Sequence, residues 1–459
     1  MITMKCRDIA AILQAPLIGD DCQIDSVSTD SRTIGPGALF IALRGPNFDG
    51  EGFIDQVIAK GAVAVICHRP LSQDIPHIVV SDTRIALGQL AAALKARLAP
   101  TTLAVTGSAG KTTVKEMMAA ILSRRGAVLA TKGNFNNDIG VPLTLLRLQP
   151  EHQYAVMELG ANHAGEIAYT TSLVKPDVAL ITNAAASHLE GFGDLFGVAR
   201  AKAEIYSGLS DEGVAIVSLD SEFSDYWLQR VNTKRLVTFS VQQPADVQAQ
   251  QITLMSNGCA RFMLHYQQQS YPLQLSLPGR HNVANAVAAA AACLTVGASI
   301  EDIQQGLLQM QPVKGRTNLL QLGPQLQLID DTYNANVESV KAAIDLLASY
   351  EGFRVLLLGD MAELGAEARL YHEEIGLYAK NSGINLLFTL GVLSQSASDL
   401  FNGEGAHFSS RQAMLERLMP LISAKQQAVT ILVKGSRSAN MELVVADLLA
   451  SCQQETTPC

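Results

Sequence analysis

The residues best equipped for chemistry lie in one stretch, Thr106-Gly107-Ser108-Ala109-Gly110-Lys111-Thr112-Thr113. A glycine turn followed by Lys and Thr can cradle nucleotide phosphates. Backbone N–H groups at a helix N-terminus face the phosphates, the Lys111 ammonium pairs with the β/γ oxygens, and the Thr112 hydroxyl reaches a Mg²⁺. The flanking sequence has the order such a cradle needs. An apolar run of buried-strand size, Leu103 to Val105, precedes it, and helical spacing from Thr112 to Arg124, ending at Gly126, follows it. The general Walker spacing is not met, because Val105 stands six residues before Lys111 where a Gly is expected. Taken alone, the shorter Gly-x-x-Gly-Lys-Thr-Thr form also reads as an ordinary glycine-rich turn.

Two further positions extend the chemistry. Glu158 directly follows the apolar run Tyr154 to Met157. A carboxylate there is costly unless paired or metal-bound, so it is a candidate Mg²⁺ ligand. The next apolar run, Val178 to Thr182, opens into Asn183-Ala184-Ala185-Ala186-Ser187-His188. Ligands sit outside the carboxyl ends of such strands, which makes His188 a metal-ligand candidate, although a lone loop histidine is more often solvated.

The elements that must position these groups follow an α/β rhythm over three expected domains. Residues 1–83 hold strand-like pieces, Ala38 to Leu43 and Ala62 to Ile66, between turn-rich segments such as Arg44 to Gly50, and read as a small α/β domain. Residues 84–313 carry the buried-strand runs 103–105, 154–158 and 178–182, and read as a central parallel, doubly wound sheet. Between Leu236 and Leu277 the alternation of Ala260 to Tyr266 and Tyr271 to Leu275 around a polar turn predicts an antiparallel flank. From 314 to 459, strands near 326–330, 354–358, 385–390 and 429–433 alternate with helices, giving a second open, Rossmann-like α/β sheet.

A chain of 459 residues is long enough for about three such domains. Its formal charge of −9, with no basic run longer than Arg124-Arg125, argues against broad binding to nucleic acid or an anionic membrane. Seven cysteines, at 6, 22, 67, 259, 293, 452 and 459, form no Cys-x-x-Cys pair and read as reduced thiols of the core. The N-terminus lacks a signal-peptide apolar core, and the longest apolar run, Ala286 to Val296, is too short to cross a bilayer. A cytoplasmic protein without membrane insertion is expected.

Three segments give the chain a specific likeness: Gly133 to Pro142 (Gly-Asn-Phe-Asn-Asn-Asp-Ile-Gly-Val-Pro), Glu158 to Ile167 (Glu-Leu-Gly-Ala-Asn-His-Ala-Gly-Glu-Ile) and Asp331 to Asn336 (Asp-Thr-Tyr-Asn-Ala-Asn). With the phosphate loop, they make the chain resemble, nearly end to end, the Mur ligases, ATP-dependent amide-forming enzymes of peptidoglycan precursor synthesis. The likeness also accounts for the departure from Walker spacing, since the loop matches the family's own. It points to the branch that joins D-alanyl-D-alanine to UDP-N-acetylmuramoyl-tripeptide through an acyl phosphate, with ADP and phosphate released. A monomer is the family default.

The resemblance also implies roles for single residues. Lys202, which by sequence alone is a solvated lysine beside Arg200 and Glu204, would be carbamylated by CO₂, and the resulting anion would serve a second Mg²⁺. Lys111, Lys202 and His188 form the implied catalytic set, and Thr112, Glu158, His188 and Lys202 the metal set. Asn282 in Gly279-Arg280-His281-Asn282 would meet the adenine, and Arg316, Asp331, Asn334 and Asn336 would meet ATP from the C-terminal domain. Relatives often carry Pro where this chain has Val337, which puts the local turn in question. Lys434-Gly435-Ser436-Arg437-Ser438 resembles a loop near the reaction centre, and a plain turn with solvated charges fits it as well. Asn137 and Asn162 are candidate substrate contacts. Ser31, Arg32 and Asp49 would line a uridine pocket, against the plain reading of two ordinary turns. Separate ATP motifs on two domains imply closure around the substrates.

Ligation of another amino acid, as in the tripeptide-forming Mur ligase or folylpolyglutamate synthase, is disfavoured by the Asn-x-Asn-Asn and Ala-Asn-His segments. A nucleotide-gated binding protein would use ATP without an amide-forming acceptor.

Overall fold

Short apolar runs bounded by turn residues become strands here, and the longer stretches between them supply the crossover helices that parallel pairing requires. The computed structural model describes residues 3–45, 47–401 and 404–455; Pro46, within the turn Arg44 to Gly50, and Cys459 lie outside them. Three main sheets, of five, nine and six strands, follow one another along the chain.

The first sheet runs Leu17–Ile18, His77–Val79, Ala62–Cys67, Ala38–Ile41, Ser26–Ser28, parallel except at its first strand. The central sheet runs Ala127–Ala130, His152–Glu158, Thr101–Thr106, Val178–Ile181, Val214–Ser218, Arg235–Ser240, Val247–Leu254, Cys259–Tyr266, Gln269–Pro278. It is parallel up to the pairing of Arg235–Ser240 with Val247–Leu254 and antiparallel beyond it. The third sheet runs Asn318–Gly323, Leu326–Asp331, Val429–Lys434, Phe353–Gly359, Leu386–Leu390, Gly405–Phe408, with only the Asn318–Gly323 edge antiparallel.

Several elements differ from expectation. The antiparallel flank begins later than Leu236, because the helix Ser224–Arg230 is a crossover that returns Arg235–Ser240 parallel to its neighbour. The helix after the phosphate loop spans Lys111–Leu122, one residue earlier at its start than the spacing predicted and two shorter at its end. Strands Ala127–Ala130, Val214–Ser218 and Gly405–Phe408 are not among the runs expected from the sequence, although Val214-Ala215-Ile216-Val217 is itself a β-branched apolar run.

Helices cover both faces of the central sheet. Lys111–Leu122 and His281–Thr295 bury Val114, Met118, Val287 and the alanines 288–292 on one side. On the other, Leu145, Ile167 and Val198 pack with Leu87, Leu90 and Leu94 of the helix Thr83–Leu98. The same cluster holds Ile9, Leu39 and Ile66 of the first sheet, so the first two sheets share one core through that helix, whereas the third has its own clusters on its two faces.

Among the described cysteines, Cys6, Cys67, Cys259 and Cys293 are buried. No helix among the described residues is long and apolar enough to cross a membrane.

Candidate functional site

Parallel register brings the chemistry to one edge. Val105 lies beside Glu158, and Thr106 beside Ile181, so the strands Thr101–Thr106, His152–Glu158 and Val178–Ile181 deliver the phosphate loop, Glu158 and the approach to His188 to the same carboxyl-end crevice. The crevice opens into a cleft of roughly 910 Å³ between the central and third sheets, lined by Ser108, Lys111, Glu158, His188, Arg316 and Asp331 among others.

Two glycines shape the loop. Gly107 has φ +150°, and a Cβ there would come within 1.9 Å of Thr182 Oγ1; Gly110, at φ +80°, would meet Asn285 Oδ1 at 2.5 Å. Gly110 is also the residue from which the helix Lys111–Leu122 departs, and the first intrahelical bond runs from Val114 N–H to Gly110 O at 2.9 Å. The N–H groups of Lys111, Thr112 and Thr113 therefore have no helical carbonyl, which makes this turn an anion site. The Ala109 N–H is already taken by Asn183 Oδ1 at 2.9 Å, and Asn183 O accepts from the Ser108 N–H at 3.1 Å, so the loop is braced from the next strand.

The Lys111 ammonium donates to Gly107 O at 2.6 Å. Burial pushes its pKa below the ordinary lysine value, opposed by the Glu158 charge and reinforced by Arg316. The Thr112 hydroxyl is shared: it donates to Glu158 Oε2 at 2.8 Å and accepts from Arg316 Nη2 at 2.8 Å. Arg316 arrives from beyond the central sheet, stacked on the Tyr333 ring with 4.1 Å to its centroid, and its Nε is buried without a partner. The other Glu158 oxygen accepts from Asn136 Nδ2 at 2.8 Å, and Glu158 itself is 2% exposed.

Lys202, on the helix Leu195–Ala203, is 1% exposed, so the solvated reading of this lysine is wrong. Its helix turns that face inward, and the ammonium sits 5.2 Å from the centroid of the Phe192 ring. Desolvation, with the Lys111 charge second, lowers its pKa to about 7. His188 lines the cleft in a left-handed conformation, φ +53°. Its Nδ1 is in close ion-pair contact with Glu363, in the loop after the third sheet's strand Phe353–Gly359, though off the line of a good hydrogen bond. Burial lowers the His188 pKa and the Glu363 carboxylate opposes that shift.

On the third sheet, Lys434 is 3% exposed and donates to Asp331 Oδ2 at 2.5 Å and Asn334 O at 3.0 Å, so it is not a solvated turn lysine. Arg437 of the same loop is exposed and pairs with Glu442 at 2.9 Å. Asn336 caps the helix Val337–Ala348 in a reciprocal pair with Ser339, at 2.9 and 3.0 Å, and its Nδ2 reaches Ser108 O at 3.5 Å. Val337 takes the first helical position that a Pro would fill and buries itself in the core, so the turn survives the departure.

Not every candidate reaches the cleft. Asn282 is buried and spends its amide on Pro278 O (2.7 Å) and on Asn285 Nδ2 (2.9 Å); Asn285 and His281 line the cleft instead. Asn137 accepts from Gly140 N–H at 2.8 Å and starts the helix Gly140–Leu145, while its neighbour Asn136 turns to Glu158. Asn162 lines the cleft. Ser31, Arg32 and Asp49 lie on the first sheet's loops and do not line it: Arg32 forms a two-point pair with Asp30 (2.9 and 2.8 Å), Ser31 O accepts from Lys60 Nζ at 2.8 Å, and Asp49 caps the short turn Gly50–Phe53.

Sequence reasoning missed Asn136, Asn285 and Glu363. Asn136 stands in a segment already singled out and Asn285 one helical turn beyond another, where spacing alone does not choose between neighbouring amides.

Thr112 and Glu158 are hard oxygen donors in mutual contact, which suits Mg²⁺ completed by nucleotide phosphates and water. No group of three His, Cys, Asp or Glu among the described residues could hold a metal unaided. A buried lysine whose pKa is lowered to about 7 has the neutral amine that CO₂ requires.

Family models match along the chain: "Mur ligase family, catalytic domain" over residues 23–98, "Mur ligase middle domain" over 105–293 and "Mur ligase, glutamate ligase domain" over 315–437. The UDP-N-acetylmuramoyl-tripeptide–D-alanyl-D-alanine ligase of Escherichia coli K12 is 49% identical, covering 98% of this chain and 99% of its own. That of Haemophilus influenzae is 45% identical over 98% and 99%. A crystal structure of MurF from Acinetobacter baumannii superposes with a TM-score of 0.94 at 40% identity, covering 98% of this chain and 99% of that one.

Proposed function

The chain belongs to the Mur ligase family, and from that premise we propose that it is the ligase joining D-alanyl-D-alanine to UDP-N-acetylmuramoyl-tripeptide at the expense of ATP. The observation that carries this is the shared Thr112 hydroxyl: Glu158 of the central sheet and Arg316 from beyond it meet there, beside Lys111. Groups that bind, neutralise and close over a triphosphate thus converge on one point.

The tripeptide's terminal carboxylate attacks the γ-phosphorus, ADP leaves, and the amine of D-alanyl-D-alanine displaces phosphate from the acyl phosphate. Two anions must approach each other, so the barrier is largely electrostatic. The Lys111 ammonium and the free N–H groups of the helix start hold the β/γ oxygens, and Arg316 adds a guanidinium from the side that closes. Thr112 and Glu158 would hold one Mg²⁺, and His188 with carbamylated Lys202 a second, supplying charge neutralisation at the transferring phosphoryl group. Asn336 and Asn334 border the nucleotide. Asn282 acts through Asn285 at its adenine end, and Asn162 faces the peptide. Ser31, Arg32 and Asp49 meet the uridine nucleotide on the first domain, with Asn137 shaping the loop beside the tripeptide.

Domains of residues 1–83, 84–313 and 314–459 act together as a cytoplasmic monomer in this reading. Its test is ADP release from Mg²⁺, ATP and UDP-N-acetylmuramoyl-tripeptide with and without D-alanyl-D-alanine. Release that needs the dipeptide and yields the UDP-linked pentapeptide is expected; release indifferent to the dipeptide overturns it.

A further inference from the structure

We propose that Glu363 is a positioning residue for this reaction, a carboxylate in the loop after the third sheet's strand Phe353–Gly359 that fixes the tautomer and aim of the His188 ring from across the cleft. The inference rests on the reading above, in which His188 offers a ring nitrogen to the site.

The contact has two points. The Glu363 carboxylate lies against His188 Nδ1, and the Glu363 carbonyl accepts from the Leu189 N–H at 3.2 Å. Both partners hold left-handed backbone, His188 at φ +53° and Glu363 at φ +61°. Side-chain-bearing residues adopt that conformation at a cost and keep it only where their surroundings impose it.

The surroundings of Glu363 do impose it. Met361 (0% exposed) and Leu364 (2%) bury themselves on either side of it in the third sheet's core. The Met361 N–H donates to Nε2 of the fully buried His372 at 2.9 Å, while His372 Nδ1 meets Ala368 O at 2.7 Å. The loop is thus clamped to its own domain; Asp360 is spent on the N–H groups of Val392, Leu393 and Ser394, and Glu363 is the acid that meets His188.

A neutral imidazole whose Nδ1 lies against a carboxylate is favoured to hold its proton on that nitrogen by the proximity of the negative charge, even off the line of a good hydrogen bond, which leaves the Nε2 lone pair for ligation or proton acceptance; a partner of this kind commonly selects the working nitrogen. The orientation also carries inward. Phe192 stands edge-on to His188, 6.4 Å between centroids at 87°, and its face covers the Lys202 ammonium at 5.2 Å. A ring set free at His188 would loosen the wall of the Lys202 pocket.

The test reads the His188 tautomer by long-range ¹H–¹⁵N correlation in the full-length protein, in alkaline buffer without metal, with the signal assigned by its loss in His188→Gln. The wild type should carry Nδ1–H. Glu363→Ala should shift the proton toward Nε2 and lower kcat by about tenfold to a hundredfold, with KM for the UDP-linked substrate unchanged. Glu363→Gln, whose amide oxygen can stand as an acceptor where the carboxylate oxygen stood, should keep the tautomer and recover most of the turnover.

His372 serves as the internal control for folding. If its signal moves in the alanine variant, Glu363→Asp replaces that variant, with the same loss expected because the shorter acid falls short of the ring. An unaltered tautomer in the variant used overturns the proposal, as does a shifted tautomer with unchanged kcat, which would leave only a docking contact. Full turnover in His188→Gln would instead remove the reading of the site on which the proposal stands.

Discussion

The central and third sheets present their carboxyl-end loops to the same cleft, yet they treat a buried lysine in opposite ways. On the central sheet Lys111 is bonded to carbonyl oxygens, and among the described residues no carboxylate forms an ion pair with it. On the third, Lys434 is locked to Asp331 at 2.5 Å. A desolvated cation that forms no ion pair is suited to meeting an anionic ligand, whereas one paired to a carboxylate belongs to the scaffold. The central sheet therefore holds a cation bonded to neutral carbonyls, and the third brings ion-paired loops and Arg316, which stacks on Tyr333 and donates to Thr112 but ion-pairs with no carboxylate among the described residues.

The sharpest way to break this contrast is Lys111→Ala, which should lower turnover by about 10³-fold without loss of folding stability, as read by ADP release and urea denaturation. A large stability loss would make Lys111 scaffold like Lys434. Lys434→Met should do the reverse: it strands Asp331 and costs about 3 kcal/mol in urea denaturation, much of it recovered when Asp331→Leu is added. Arg316→Lys keeps the charge but cannot both stack on Tyr333 and reach Thr112, so kcat should fall about thirtyfold, worth about 2 kcal/mol.

Lys202 adds a pH signature. Its pKa is about 7 in the folded protein against an ordinary 10.5. Between those values the unfolded chain holds a proton that the folded protein has released. In CO₂-free buffer, stability should therefore rise with pH across that window, by at most about 1.4 kcal/mol per pH unit, and Lys202→Met should flatten the rise. Asn336→Ala removes a cap on the closing side and should cost about 1 kcal/mol in thermal or urea unfolding.

Local signals made the phosphate loop legible, since glycines, Lys and Thr announce themselves at short range, and Glu158 was legible because a carboxylate at the end of an apolar run is conspicuous. Lys202 was not. Its neighbours Arg200 and Glu204 make the segment look solvated, and only the seating of the helix over Phe192 buries it. Asn282 and Asn285 are one helical turn apart, so the choice of which faces the cleft rests on a rotation that composition does not encode. The alternating segments Ala260 to Tyr266 and Tyr271 to Leu275 paired as read, whereas Arg235–Ser240 took its direction from a crossover helix with weak periodicity. Glu363 acts on a residue 175 positions away, a relation that only the assembled sheets reveal.

The helix Thr83–Leu98 bears on how the protein is made. Its Leu87, Leu90 and Leu94 are buried in a cluster that runs from Met4 to Val231. A nascent chain that has emerged only as far as Leu98 can cover part of that stripe with Ile9, Leu39 and Ile66 but leaves the rest exposed, because Met157, Val198 and Trp227 of the same cluster have yet to be synthesised. The amino-terminal part thus waits for the middle of the chain before it can settle fully, while the third sheet, whose clusters draw on residues from 320 onward, completes itself afterwards.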